Sequence, residues 1–190
     1  MNERTGVSPG APEEVILVDE ADRPVGVMEK MEAHRRALLH RAFSVFIFNS
    51  RGDMLLQQRA TDKYHSGGLW TNACCSHPRP GEDTREAAVR RLFEELGFRT
   101  SLEKAFSFTY RTEFGNGLTE HEFDHVFIGV DDQEPKPDRR EVSDYRYQSM
   151  TDIDAALRDQ PEAFTTWFRL AFPMIRERSG RSVGERPAAR

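Results

Sequence analysis

The chain has 190 residues, 37% of them hydrophobic, and a formal net charge of −5. Its size suits one domain with room for a core. The acidic balance leaves no basic footprint for nucleic acid. There is no long apolar run or signal-like start, so neither a membrane span nor secretion is expected. The two cysteines are adjacent, Cys74 and Cys75. They cannot build a disulfide framework, and reduced thiols in a cytoplasmic protein are the simpler expectation.

Residues 1–14, rich in Gly, Pro and charge, read as a disordered arm. Residues 15–178 form the expected domain, and 179–190 a disordered tail. Val15–Val18 and Val25–Glu29 read as two short strands around a turn at Asp19–Asp22. His34 and His40 do not share a helical face, so a turn must lie between them if they converge. Ala42–Asn49 is apolar and β-prone, a central strand. Ser50–Asp53 is a hairpin turn and Met54–Gln58 the partner strand. Arg59 and Lys63 follow, in a loop leading to Trp70.

If Ala73–His77 is extended, Cys75 and His77 face one side and Cys74 the other. A thiol and an imidazole aimed the same way suit a nucleophile–base pair, a metal site or an acid–base pair. After a turn at Pro78–Gly81, Asp83 and Glu86 have capping-box spacing. Ala88, Val89, Leu92, Phe93 and Leu96 make one apolar helical stripe, and Gly97 supplies a left-handed stop. Arg91 and Glu95, four apart, can pair.

Ser101–Arg111 reads as a strand with Phe106, Phe108 and Tyr110 at period two. Gly115–Gly117 is a turn. Along Leu118–Gly129, period two sets Glu120, Glu122 and Asp124 on one face and His121, Phe123 and His125 on the other. Two carboxylates in an otherwise apolar strand are costly if buried unpaired, and a metal relieves that cost. Val142–Gln148 is a late strand. Thr151-Asp152 caps a short helix through Leu157. Ala163–Arg176 forms an amphipathic helix with a kink or break at Pro173.

Glu82, seven residues, then Arg90-Arg91-Leu92-Phe93-Glu94-Glu95-Leu96-Gly97-Phe98 resembles the Nudix box. That box reads glycine, five residues, glutamate, seven residues, Arg-Glu-apolar-x-Glu-Glu-x-Gly-apolar. Ser76 departs from its first glycine, and Arg91 replaces the first glutamate of its Arg-Glu pair. Losing that carboxylate argues against metal-activated water and for charge pairing with an intact diphosphate. With Trp70-Thr71-Asn72-Ala73-Cys74-Cys75-Ser76-His77-Pro78, the departures resemble the type I isopentenyl-diphosphate isomerases, a Nudix branch. The resemblance runs from about Val15 to Pro173.

That resemblance implies an α/β (α+β) fold with Nudix-like mixed sheets sandwiched by helices. It implies isomerisation of isopentenyl diphosphate to dimethylallyl diphosphate through a tertiary carbocation, with Nudix diphosphate hydrolysis as the alternative. A non-enzymatic zinc module is a third reading, weakened because adjacent cysteines diverge in a strand. The resemblance casts Cys75, Glu122, Tyr110 and Trp167 as catalytic. It casts Lys30, Arg59, Lys63, Arg91 and Trp70 as substrate-binding. His34, His40, His77, Glu120 and Glu122 become metal ligands, an N3O2 set suited to Mn²⁺ or Zn²⁺. Glu95, helped by the Cys75 carbonyl, would hold Mg²⁺ with the diphosphate. The implied partner is a small-molecule diphosphate, with no nucleic acid or membrane. Oligomeric state is not legible, and a monomer is the default expectation.

Overall fold

The computed structural model describes residues 13–184. The chain opens with a hairpin of β1 (Glu14–Val18) and β2 (Pro24–Glu29), then a short helix α1 (Lys30–Arg35). Next come β3 (His40–Phe48), β4 (Met54–Arg59), β5 (Trp70–Thr71) and β6 (Cys74–Ser76). Helix α2 (Thr84–Leu96) leads to the long strands β7 (Glu103–Glu113) and β8 (Thr119–Val130). Strand β9 (Val142–Gln148), α3 (Met150–Asp159), a 3-10 turn at Pro161–Ala163 and α4 (Thr166–Gly184) complete the fold.

β3 is the axis of a mixed sheet. It runs parallel to β8 from His40↔Glu122 to Phe48↔Val130, and antiparallel to β6 with Ser44 opposite Cys75. β7 pairs antiparallel with β8 and sets Tyr110 opposite Glu122. The expected β3–β4 hairpin holds one residue pair, Phe48↔Met54; β4 then joins β9 and β5. The reason is that a strand has two edges, and β6 and β8 occupy both edges of β3.

Period two sends the two halves of each strand to different helices. Phe43, Val45, Ile47, Cys74 and Phe127 pack with Ala88, Leu92 and Leu96 of α2. Phe46, Val126 and Tyr110 pack with Ile153 of α3 and with Phe168 and Phe172 of α4. The α+β sandwich anticipated from the resemblance is the observed fold.

Asp83 caps α2 by accepting from the Arg85 and Glu86 amides at 3.0 and 3.1 Å. Gly97 ends it at φ 79°. A Cβ there would sit 2.8 Å from the Lys136 carbonyl oxygen, so the close approach also demands glycine. The buried stripe differs from the expected one at two apolar positions. Ala87 faces inward, while Phe93 is 42% exposed with the Arg99 guanidinium 3.7 Å from its ring centre. That stacking covers the ring outside the core.

Other boundaries shift as well. Glu14 opens β1 instead of ending a loose arm. Ser149, not Thr151 or Asp152, is the side-chain cap of α3, accepting from the Asp152 amide at 3.1 Å. α4 starts at Thr166, runs through Pro173 and reaches Gly184, six residues into the expected tail. Phe172 and Ile175 are buried on either side of that proline, and their packing outweighs its cost of about 3 kcal/mol. The remaining parts of the expected arm and tail, 1–12 and 185–190, lie outside the described residues.

Candidate active site

The strand registers assemble one polar end on the α4 face of the sheet. His40 and Ser44 come from β3, Cys75 from β6, Glu120, Glu122 and Asp124 from β8, and Tyr110 from β7. Cys74, one residue away from Cys75, falls on the opposite face within the α2 core.

α1 brings in His34. Its N-cap Glu29 accepts from the Met31 and Glu32 amides, both at 2.8 Å. The chain then turns through Ala37, at φ 53°, before entering β3. This is the turn required between the two histidines, and it sets their ring centres 4.8 Å apart. His34 Nδ1 lies 2.6 Å from the Lys30 carbonyl, and His40 Nδ1 lies 2.8 Å from that of Leu38. A carbonyl only accepts, so each Nδ1 carries a proton, and each ring in its neutral form keeps a lone pair at Nε2. Both Nε2 atoms are buried, without a hydrogen-bond partner among the described residues. Burial holds the His34 ring down at about 4, so it is neutral and able to ligate at neutral pH.

His77 Nε2 lies 3.0 Å and His40 Nε2 3.6 Å from Glu122 Oε1. The donor atoms of His34, His40, His77 and Glu122 lie within 4.8 Å of one another. A nitrogen-rich pocket with orphaned lone pairs and a carboxylate fits a divalent transition metal. Glu120, expected in the same set, stands beside it. It groups with His34 and with His65, whose Nε2 is 3.0 Å from Glu120 Oε1. The Tyr110 hydroxyl bridges the two carboxylates, 2.6 Å from Glu122 Oε2 and 3.0 Å from Glu120 Oε2. Burial and the neighbouring Glu122 charge push Glu120 well above the usual carboxylate range. Burial acts on Glu122 in the same sense, but the adjacent His40 and His77 rings outweigh it and hold Glu122 low.

Cys75 Sγ donates to Asn72 Oδ1 at 3.1 Å and lies 3.5 Å from Ser44 Oγ. Burial pushes its thiol up, so it stays protonated. Cys75, Glu122, Tyr110 and Trp167 line one small cavity of about 40 Å³. Cys75 and His77 also line a larger cavity of about 470 Å³, walled by Lys30, Arg59, Lys63 and Arg91. The cations lean on acids or rings. Lys30 pairs with Glu13, and Lys63 with Glu141. Arg91 binds Glu94 and Glu95 at 2.7 and 2.8 Å, and the Arg59 guanidinium lies 5.2 Å from the Trp167 ring centre. Glu95 lines the larger cavity, with Gln57 donating to its other oxygen at 2.9 Å.

Trp70 does not join this group. It lines neither cavity; the Arg146 guanidinium sits 4.0 Å from its ring centre, and its backbone bridges to Phe164. Two residues at the site escaped the sequence reading, and a third was noticed without a role. Ser44 is a polar side chain in the middle of an apolar strand, which is a usable signal. His65 lies in an aperiodic loop and gives none. Asp124 continues the period of Glu120 and Glu122, and it accepts from Ser44 Oγ at 2.7 Å.

The family model described as NUDIX domain matches residues 38–168. The structure resembles DR0079 from Deinococcus radiodurans, with TM-score 0.63 and 21% identity, covering 78% of this chain and 90% of that one. It also resembles the MutT protein from Methanosarcina mazei Go1, with TM-score 0.62 and 20% identity, covering 74% and 95%. At such identity these structures speak for the fold alone, and together with the family match they define a Nudix-class protein. The curated relatives narrow the class. The isopentenyl-diphosphate Delta-isomerase of Pectobacterium atrosepticum is 57% identical over 162 residues, 85% of this chain and 90% of the relative. The isopentenyl-diphosphate Delta-isomerase 2 of Aromatoleum aromaticum is 51% identical over 177 residues, 93% of each. The chain belongs to the isopentenyl-diphosphate Delta-isomerase family of Nudix proteins.

Proposed function

We propose that the chain isomerises isopentenyl diphosphate to dimethylallyl diphosphate. The terminal methylene carbon gains a proton, and the carbon next to the diphosphate-bearing one loses a proton. A tertiary carbocation lies between, and no atom is gained or lost overall. The chemistry needs an acid and a base on opposite sides of a flat five-carbon tail. It also needs an anchor for the diphosphate and a slot that keeps water from the cation.

One observation carries the reading: Cys75 and Glu122, from strands flanking β3, line the same small cavity. They are the proton-transfer pair, each worth roughly 10²–10⁴ in rate. Tyr110, hydrogen-bonded to Glu122, can relay the proton at that carboxylate. The buried Trp167 indole offers a π face, where a desolvated cation gains about 2 kcal/mol. Lys30, Arg59, Lys63 and Arg91 bind the diphosphate at the cavity mouth, exchanging their present partners for phosphate oxygens.

Mn²⁺ or Zn²⁺ would be held by His34, His40, His77 and Glu122, with Glu120 alongside, and Mg²⁺ with the diphosphate by Glu95 and the Cys75 carbonyl. A bound ion supplies fixed positive charge that orients Glu122 and favours its ionised form. A small diphosphate is the one partner this reading requires, met by a monomer in the cytoplasm. No described helix is long and apolar enough to cross a membrane.

Incubation of the metal-loaded protein with isopentenyl diphosphate, followed by proton NMR, tests the reading. Allylic methyl signals should grow in. Release of phosphate or diphosphate without those signals would sink it and favour hydrolysis.

A further inference from the structure

β6, β3 and β8 lie side by side. Their registers set Cys75 opposite Ser44 on one edge of β3, and Asp124 opposite Ala42 on the other. Ala42 and Ser44 share a face of β3, so Cys75, Ser44 and Asp124 form a row across the α4 face. Ser44 is 2% exposed and Asp124 fully buried.

The hydrogen-bond directions fix what this row does. A serine hydroxyl has one hydrogen. Ser44 gives it to Asp124 Oδ2 at 2.7 Å, which turns the Oγ lone pairs toward Cys75 Sγ at 3.5 Å. Asn72 Oδ1 stands 3.1 Å from the same sulfur. That amide cannot flip freely, because its Nδ2 donates to the Val45 and Cys74 carbonyls at 3.0 and 2.9 Å. The sulfur's single hydrogen therefore faces two acceptors of fixed orientation, Asn72 Oδ1 at 3.1 Å and Ser44 Oγ at 3.5 Å, and these two oxygens bound the directions in which the thiol can point.

A buried carboxyl group is a costly way to satisfy one hydroxyl. Asp124 Oδ1 has no hydrogen-bond partner among the described residues. Val126 and Ile128 continue the same face of β8 as apolar packing against α4, and an apolar side chain at position 124 would avoid the cost. The expense is explained if the fixed hydroxyl is needed.

We propose that Ser44 is a positioning residue for Cys75, and that Asp124 locks the Ser44 hydroxyl for that task. The proposal rests on Cys75 being a proton-transfer group of the isomerase. Asp124 is needed as an acceptor, not as a charge. Proton transfer to or from carbon demands that Sγ point along the cavity, and a misplacement of about 1 Å costs on the order of 10² in rate.

The metal-loaded full chain carries the test. Ser44→Ala should lower kcat by about 10–100-fold while KM for isopentenyl diphosphate stays within about twofold. Asp124→Leu should match it. The double variant should be no slower than either single one, because both act through one contact. Asp124→Asn keeps an acceptor oxygen for Ser44 and should recover kcat to within about threefold of the parent. Alkylation of Cys75 by iodoacetamide, read by mass spectrometry, reports the sulfur's placement without any isomerisation. Its rate should change in Ser44→Ala and Asp124→Leu and return in Asp124→Asn.

A merely structural pair would lower the unfolding midpoint but leave kcat of the folded protein and the alkylation rate unchanged; that result overturns the proposal. So does an Asp124→Asn enzyme as slow as Asp124→Leu, since the charge would then matter. A parent protein that never isomerises but keeps the alkylation pattern supports the positioning and defeats the isomerase reading. An active parent with an unaffected Ser44→Ala defeats the positioning alone.

Discussion

On the α2 side of β3, Phe43, Val45 and Ile47 meet Ala88, Leu92 and Leu96, and the strand is apolar there from Phe43 onward. On the α4 side, alternate residues of the same strand run His40, Ala42, Ser44, and large apolar side chains begin only at Phe46. β8 repeats the polar start on the α4 side, with Glu120, Glu122 and Asp124 ahead of Val126, while its other side carries His121 and His125 before Phe127. The buried polar atoms left without partners on this side include His34 Nε2, His40 Nε2 and Asp124 Oδ1. Each such atom costs about 1–3 kcal/mol. One face thus holds the sheet together, and the other carries a polar end that it could not afford alone. The period-two alternation of a strand lets both live on the same residues.

Cys74 and Cys75 put this contrast into two adjacent side chains. Cys75→Ala should lower turnover by about 10²–10⁴ or more while diphosphate binding persists, read by methyl NMR and calorimetric titration. Cys74→Ala should leave kcat nearly unchanged. Equal losses in both would break the division between faces. His40→Ala should weaken binding of a divalent ion by at least about tenfold, measured by competition with a chromophoric chelator. Unchanged affinity would show that the orphaned Nε2 atoms are not ligands. Leu92→Ala, on the other face, should cost about 2–5 kcal/mol in urea unfolding. The kcat of its folded fraction should match the parent; a large fall there would mean that the α2 face also shapes the site.

Where the sequence was legible, the reason was periodicity. The alternation around Cys74-Cys75, the acidic run Glu120-x-Glu122-x-Asp124 and the capped helix at Asp83 each carry a spacing that dictates a face. The resemblance singled out residues of that helix, Arg91 and Glu95, and others that line the cavities. What failed lacked local signal. The divergence of β4 from β3 is decided by β6 and β8, strands far away in sequence. Phe93 is apolar and on period, yet a neighbouring arginine covers it outside the core. Trp70 sits next to the site in sequence, but Arg146 and Phe164 claim it. The parting of Glu120 toward His65 depends on a loop whose position no pattern reveals.

His65 gives the finest test of the contrast, because it is a buried titratable group on the costly face. Burial and the nearby Arg59 charge lower its pKa from 6.5 to about 3. It is therefore neutral in the folded chain, while the unfolded chain takes up a proton below about 6.5. Its contribution to stability is complete above that value and is lost as pH falls toward the folded one. Other groups titrate in the same range with either sign, so the measurable quantity is a difference. In metal-stripped protein, the unfolding free energy of the parent minus that of His65→Gln should fall on acidification from pH 7.5 to 5. Below the unfolded pKa the slope should not exceed about 1.4 kcal/mol per pH unit. A Leu92→Ala difference measured in parallel should stay flat, since nothing titrates at that contact. A flat His65 difference would mean that the loop opens readily enough for the ring to titrate as it does in water. The α4 face would then be less closed than its cavity implies.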